Sequence, residues 1–367
     1  MDEDAHIQVT GLPPGAQVTL TAHAVARQGV PWDAAAVFRA NADGVVDPSR
    51  SAPVSGSYQG VDDMGIVWSM RPRTVRGANF WAPDDAESYS VALSAQLGGR
   101  TVATTVLTRI QAARGVTDRV LTLAADHVEG HLYLPPPGPK PRPGLVIFGG
   151  SEGGNLGTID AELLASHGYP TIALGYFGMP GLPANLENIP LEYFATAGRL
   201  LAKQPGVDAN HILVDGYSRG TEAAVLLADT YPDLFHGAIL YAPNDRVDHA
   251  LGYSNRNKFA WTLAGKPIPQ GLLPVDHISG PVLAIAGDQD TVWYSTQQAQ
   301  TLMRGLDADH DPYFHQALIY PMAGHGLGTF PFRPSPASEA DGGTPSGNNT
   351  AREASWSRLL QLLASLD

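Results

Sequence analysis

His211-Ile212-Leu213-Val214-Asp215-Gly216-Tyr217-Ser218-Arg219-Gly220 decides how this chain folds. A short apolar run ends in Gly-x-Ser-x-Gly and passes straight into Thr221-Glu222-Ala223-Ala224-Val225-Leu226-Leu227-Ala228, a helix-forming stretch. Strand, sharp turn and helix together predict a nucleophile elbow, with the serine strained at a helix N-terminus where negative charge is favoured. Side chains at Gly216 and Gly220 would collide with the neighbouring strand and helix, so both glycines have a steric reason to be there. The chemistry expected of Ser218 is acyl transfer.

Outward from the elbow, the pattern from about residue 118 is one of apolar strand runs alternating with helical stretches. Strands are expected at Gly144–Gly149, Pro170–Leu174, Ile212–Asp215, Gly237–Tyr241, Pro281–Ala286 and Ala317–Tyr320. Helices fit at about 158–167, 191–204, 219–230, 295–305 and 351–366. This alternation is the signature of a mostly parallel sheet. The proline-rich stretch from Pro135 to Pro143 lies between two strand candidates and reads as a stiff hairpin loop. Residues up to about 115 instead show short alternating segments, such as Gln17–His23 and Ser88–Ser94, broken by turns such as Gly98-Gly99. The fold expected is an N-terminal all-β immunoglobulin-like sandwich over 1–117, followed by an α/β-hydrolase domain over 118–367.

Composition narrows the function. At 367 residues, two domains are the natural division. With 43% apolar and 16% charged residues the chain is globular. A net charge of −13 argues against nucleic acid or an anionic membrane as the main partner. The absence of cysteine excludes disulfides, thiolate metal sites and a cysteine nucleophile. No apolar run is long enough for a membrane span, and the acidic Met1-Asp2-Glu3-Asp4 lacks the basic and apolar regions of a signal peptide. A cytoplasmic location is therefore expected.

A serine nucleophile needs a general base, and the base needs an orienting acid. In the α/β-hydrolase order both follow the serine, on loops after later strands. Gly287-Asp288-Gln289-Asp290 follows one such strand and Pro321-Met322-Ala323-Gly324-His325-Gly326 the next. Asp290 is assigned as acid and His325 as base; Asp288 and Asp245 remain open alternatives for the acid. His131, His211, His315, His6, His249 and His310 are assigned no chemistry. Tetrahedral chemistry also needs donors aimed at the oxyanion. One is the amide of Arg219. The second is expected from Gly149-Gly150-Ser151-Glu152-Gly153-Gly154, with Ser151 chosen and Gly150 or Glu152 open.

These motifs resemble the acyl-CoA thioesterases and bile acid-CoA:amino acid N-acyltransferases. The resemblance spans nearly the whole chain. It rests on Gly11-Leu12-Pro13-Pro14-Gly15, Gly56-Ser57-Tyr58-Gln59-Gly60-Val61-Asp62-Asp63-Met64-Gly65-Ile66-Val67-Trp68-Ser69-Met70, Gly149–Gly154, the elbow, Gly287–Ser295 and Tyr320–His325. Tyr58, Trp68 and Met70 are read as packing residues, and Trp293 as a buttress of the acid loop. The resemblance implies the triad Ser218, Asp290 and His325, an acyl thioester substrate, and no cofactor except the CoA that is part of that substrate. Serine at 218 favours water as acceptor; an esterase or acyltransferase acting on a carrier-bound or natural-product ester is the alternative. Arg246, Arg256, Lys258 and Arg304 are candidates to meet CoA phosphates, against a reading as solvated surface charges. The stretch from Ser338 and Glu339 to Gly347-Asn348 is polar and expected to be mobile.

Overall fold

Strand β1 (Gln17–Ala26) buries Val18, Leu20, Ala22 and Ala24 in strict alternation and so needs one covered face. It pairs antiparallel with β2 (Val30–Arg39) on one side and β3 (Ser88–Leu97) on the other. Strand β4 (Arg100–Ile110) completes a hairpin with β3 through Gly98-Gly99, whose φ values of 56° and 80° suit the tight turn of a twisted hairpin. The short pieces Ser55–Gly56 and Arg71–Pro72 both pair with β2, giving one six-stranded antiparallel sheet. The computed structural model describes residues 1–73, 80, 82, 88–252, 258–334 and 340–367. A second sheet facing this one, as the expected sandwich requires, is not among the described residues. The helical turn Gly65–Trp68 packs on β1 and β2 instead, with Ile66, Val67 and Trp68 buried. Tyr58, Trp68 and Met70 are buried packing residues, as read from the sequence.

The second sheet holds eight strands: β5 (Thr117–Leu121), β6 (Glu129–Leu134), β7 (Arg142–Phe148), β8 (Thr171–Gly175), β9 (Val207–Tyr217), β10 (Ala238–Tyr241), β11 (Val282–Gly287) and β12 (His315–Tyr320). Their spatial order is β12-β11-β10-β9-β7-β8-β6-β5. The run from β12 to β8 is parallel, and β6 and β5 join antiparallel. Strands β8, β10 and β11 are buried throughout, which is why they read as unbroken apolar runs. The proline-rich segment after β6 is not a hairpin loop, because β8 lies between β6 and β7 in the sheet. That chain crosses over instead.

Helices α2 (Leu191–Ala202), α3 (Gly220–Thr230) and α4 (Ser295–Ala308) bury their apolar residues against one face of this sheet. Helices α1 (Thr158–Ser166) and α5 (Pro345–Ser365) cover the other, in a core continuous with that of the N-terminal sheet. Helix α5 starts six residues earlier than expected. Thr344 caps it by accepting from the Gly347 amide, and Pro345 occupies the first turn, where a missing N–H costs nothing.

Candidate active site

At the end of β9 the chain reverses sharply into α3, and Ser218 at the bend has φ 55°. Its amide donates to the Tyr241 carbonyl at 2.8 Å, and its own carbonyl accepts from Thr221 Oγ1 at 2.7 Å. The strained conformation is thus held from both sides. A Cβ on Gly216 would lie 2.6 Å from the Gly220 carbonyl oxygen, and one on Gly220 would lie 2.4 Å from that of Gly149. No larger residue fits at either position without moving backbone. The elbow is as the sequence requires.

The structure brings three of the predicted side chains together. His325 Nε2 lies 2.9 Å from Ser218 Oγ, and His325 Nδ1 lies 2.8 Å from Asp290 Oδ2. All three groups are buried, and Asp290 Oδ1 is fixed by the amides of Val292 at 2.9 Å and Trp293 at 3.2 Å. The other two candidate acids lie elsewhere: Asp245 accepts from Arg246 Nε at 3.0 Å, while Asp288 is tied through its amide to Tyr320. His131, His211, His249 and His315 each face a carboxylate of Asp118, Asp208, Asp248 and Asp307 respectively, away from the serine. Trp293 presents its ring edge-on to His325, centroids 5.2 Å apart, and donates to the Ala242 carbonyl. It thus packs on His325 as well as bracing the loop of Asp290.

The loop carrying His325 is held by residues the sequence reading passed over. Asn348 Oδ1 accepts from the Gly324 amide at 2.8 Å, the Arg352 guanidinium donates to the Gly326 carbonyl, and the Tyr217 hydroxyl donates to the His325 carbonyl at 3.1 Å. Asn349 Oδ1 accepts from the Phe332 amide at 3.0 Å. Gly347 and Asn348 are buried, as is Asn349 after them, so the end of the stretch expected to be mobile is packed helix. Ser338 and Glu339 lie outside the described residues. The Thr344-Pro345 pair was the available signal for the helix start.

Gly149 and Gly150 follow β7 and abut the elbow. A Cβ on Gly150 would stand 2.7 Å from Ser218 Cβ and 3.2 Å from the Arg219 nitrogen, so only glycine lets this loop come so near. The Tyr176 hydroxyl donates to both the Gly149 and Gly150 carbonyls, at 3.0 and 2.8 Å. Burial pushes that phenol well above its ordinary range, so it stays a donor at any working pH. With those carbonyls occupied, the loop's amides are left for other acceptors. Arg219 is itself anchored: Glu222, fully buried, accepts from its Nε and Nη2 and also from Asn244 Nδ2 and Trp261 Nε1.

A cavity of about 550 Å³ opens beside Ser218, His325 and Ser151. Of the cations considered for phosphate contact, Arg246 pairs with Asp245, Lys258 with Glu187 at 2.8 Å, and Arg304 donates to Thr301. These three are surface groups with local partners, while Arg256 lies outside the described residues. Among the described residues, no helix is long and apolar enough to cross a membrane.

Comparison with known proteins matches both ends of the chain to one family. Residues 2–122 match the acyl-CoA thioester hydrolase/BAAT N-terminal region, and residues 244–365 match the BAAT/acyl-CoA thioester hydrolase C-terminal region. Acyl-coenzyme A thioesterase 1 of Mus musculus is 30% identical over 353 residues, covering 88% of this chain and 82% of its own. Acyl-coenzyme A thioesterase 6 and the peroxisomal succinyl-coenzyme A thioesterase of the same organism are each 29% identical, covering 98% of this chain and 92% of theirs.

Proposed function

Because the chain belongs to the acyl-CoA thioester hydrolase/BAAT family, we propose that it is a serine hydrolase that cleaves acyl thioesters through an acyl-enzyme on Ser218. The observation that carries this reading is the unbroken contact from Ser218 Oγ through the His325 ring to the Asp290 carboxylate.

In the first step His325 Nε2 takes the Oγ proton as the serine oxygen attacks the thioester carbonyl carbon. Asp290 at Nδ1 holds the ring in the tautomer that leaves Nε2 free to accept, and it stabilises the imidazolium that forms. The oxyanion is met by the amides of Arg219 and Ser151. The carbon–sulfur bond then breaks, and the imidazolium gives its proton to the departing thiolate. A water deprotonated by the same nitrogen attacks the serine ester, the ester bond breaks, and the acid leaves with Ser218 reprotonated. The chain's own groups supply every proton transfer, and CoA enters only as part of the substrate.

The test is to react the protein with a fluorophosphonate and locate the adduct by peptide mass spectrometry. In parallel, free thiol release is followed from palmitoyl-CoA, short acyl-CoAs and, for comparison, aryl esters. Labelling at Ser218 with thioester turnover faster than ester turnover is expected, and both are to vanish in Ser218→Ala. Wild-type-like turnover in that variant would refute the reading. Faster turnover of aryl esters would favour the esterase alternative.

A further inference from the structure

The glycine loop after β7 has no buried side chain of its own to hold it. Four of the six residues from Gly149 to Gly154 are glycines, and the other two, Ser151 and Glu152, are exposed. Gly153 and Gly154 turn through φ 67° and 74°. The elbow opposite is different. There the Ser218 carbonyl accepts from both the amide and the hydroxyl of Thr221, at 2.9 and 2.7 Å, so α3 fixes that peptide unit unaided.

A trans peptide unit is flat, with its C=O and N–H pointing opposite ways, so fixing a carbonyl aims the amide of the next residue. None of the described peptide bonds is cis. The Tyr176 hydroxyl lies 2.8 Å from the Gly150 carbonyl, which shares its plane with the Ser151 amide. It lies 3.0 Å from the Gly149 carbonyl, which shares its plane with the Gly150 amide. Both amides are thus turned away from Tyr176. Ser151 lines the cavity beside Ser218, whereas Tyr176 stands behind the loop in the apolar core. Turning from Tyr176 therefore means turning to the cavity side.

Tyr176 is itself firmly held. It follows β8 directly and is 2% exposed. Its ring packs on Phe194 of α2 at a centroid distance of 5.1 Å, on Trp261 at 5.9 Å and on Phe148 at 6.0 Å. Trp261, fully buried, donates in turn at 2.8 Å to Glu222, the carboxylate that anchors Arg219. One buried layer thus stands behind both sides of the site.

We propose that Tyr176 is a positioning residue for the oxyanion site: its hydroxyl grips the glycine loop from behind and aims the Ser151 amide, with that of Gly150, at the oxygen that becomes negative. The inference rests on the serine-hydrolase reading above and gives its second oxyanion donor a support. A hydrogen bond to a carbonyl also polarises the amide of the same peptide unit, which makes that amide the better donor. The gain is realised in the transition state, where the oxygen carries charge, more than with bound substrate.

Tyr176→Phe removes one oxygen and keeps the ring. Whole-chain variant and wild type are compared in three measurements. These are turnover of an acyl-CoA, inhibition by a trifluoromethyl ketone whose serine hemiketal carries an oxyanion, and inhibition by an unreactive acyl-CoA thioether. In the variant kcat should fall about 10–10²-fold with KM within about threefold. The trifluoromethyl ketone should weaken by a like factor while the thioether binds as before. Thr171→Val is the control, because it loses a buried hydroxyl that donates to the Tyr169 carbonyl at 2.9 Å at the start of the same strand. Its kcat should stay within about threefold of wild type.

An unchanged kcat in Tyr176→Phe would overturn the proposal, as would equal weakening of the two inhibitors or a matching loss in Thr171→Val. Should Tyr176→Phe not fold, Ser151→Pro decides, since it deletes the aimed amide at an exposed position. It must separate the two inhibitors in the same way, and failure to do so overturns the proposal. A wild type that cleaves aryl esters but no thioesters would end the thioesterase reading alone, and the same comparison run with the ester would still decide this inference. Inertness toward both classes would overturn both.

Discussion

Glu222 and Arg219 form an ion pair one helical turn apart, both buried, directly beneath the bend that carries Ser218. The carboxylate also takes hydrogen bonds from Asn244, Trp261 and the Asp248 amide, so it ties α3 to the two segments that follow β10. Removing one partner of such a pair strands the other charge in the interior. Glu222→Ala is expected to cost about 3–5 kcal/mol of unfolding free energy, read from the denaturant midpoint at constant slope. A loss of less than about 1 kcal/mol would mean that the guanidinium finds water or another acceptor.

Asp290→Asn should leave the fold intact and lower kcat by about 10³–10⁴. Asparagine can still accept from the Val292 and Trp293 amides through one oxygen, but its NH₂ then faces His325 Nδ1 and favours the wrong tautomer. Asp288→Asn and Asp245→Asn, measured beside it, should change kcat by less than about tenfold, since neither carboxylate reaches the histidine. A comparable collapse in Asp288→Asn would move the acid two residues upstream.

Gly150→Ala places a methyl 2.7 Å from Ser218 Cβ and 2.8 Å from the Tyr217 carbonyl, neither of which is the loose end of a side chain. The glycine loop or the elbow must shift. The expected result is a loss of about 10² or more in kcat, from displaced oxyanion donors, with a stability cost of about 1–3 kcal/mol. Steady-state kinetics with thermal melting check both parts; a normal kcat would exclude this loop from the oxyanion site.

Glu353 is raised to about 7, first by burial and then by the nearby Asp62, Asp4 and Asp63. The folded state therefore holds a proton that the unfolded chain releases near the ordinary 4.5, and stability falls as pH rises through that window. Glu353→Gln should raise Tm at pH 8, where the wild-type carboxylate is ionised among other acids. The gain should shrink steadily as pH falls through that window and level off below 4.5, where folded and unfolded forms are both protonated. A pH-independent difference would point to packing rather than charge.

The elbow could be read from sequence because its glycines answer to sterics alone, and steric demands are local. The placement of Asp290 and His325 beside Ser218 followed because each lies on a loop just past a strand visible as an apolar run. The groups around them were hidden for physical reasons. Asn348 and Asn349 occur in a run of small polar residues that reads as loop, since nothing local says that their amides will satisfy main-chain N–H groups of distant turns. Arg333 and Arg352 carry charges, and charged residues read as solvent-facing until the fold closes over them. The crossover after β6 was missed because pairing in a sheet is decided by where later strands insert, and β8 lies beyond the segment being read.

Phe80 exchanges main-chain contacts with the segment beyond His325: its amide reaches the Pro334 carbonyl at 3.3 Å, and its carbonyl receives Arg333 Nε at 2.9 Å. The N-terminal sheet and the hydrolase sheet also share one apolar core, in which Trp32 and Phe38 belong with Leu145, Ile147 and Leu359. A truncated protein beginning near Thr122 would thus be more than an enzyme missing an accessory module. It would bare a greasy flank along α1 and α5 and slacken the tether behind His325, so aggregation and silence should arrive together in any attempt to minimise this enzyme.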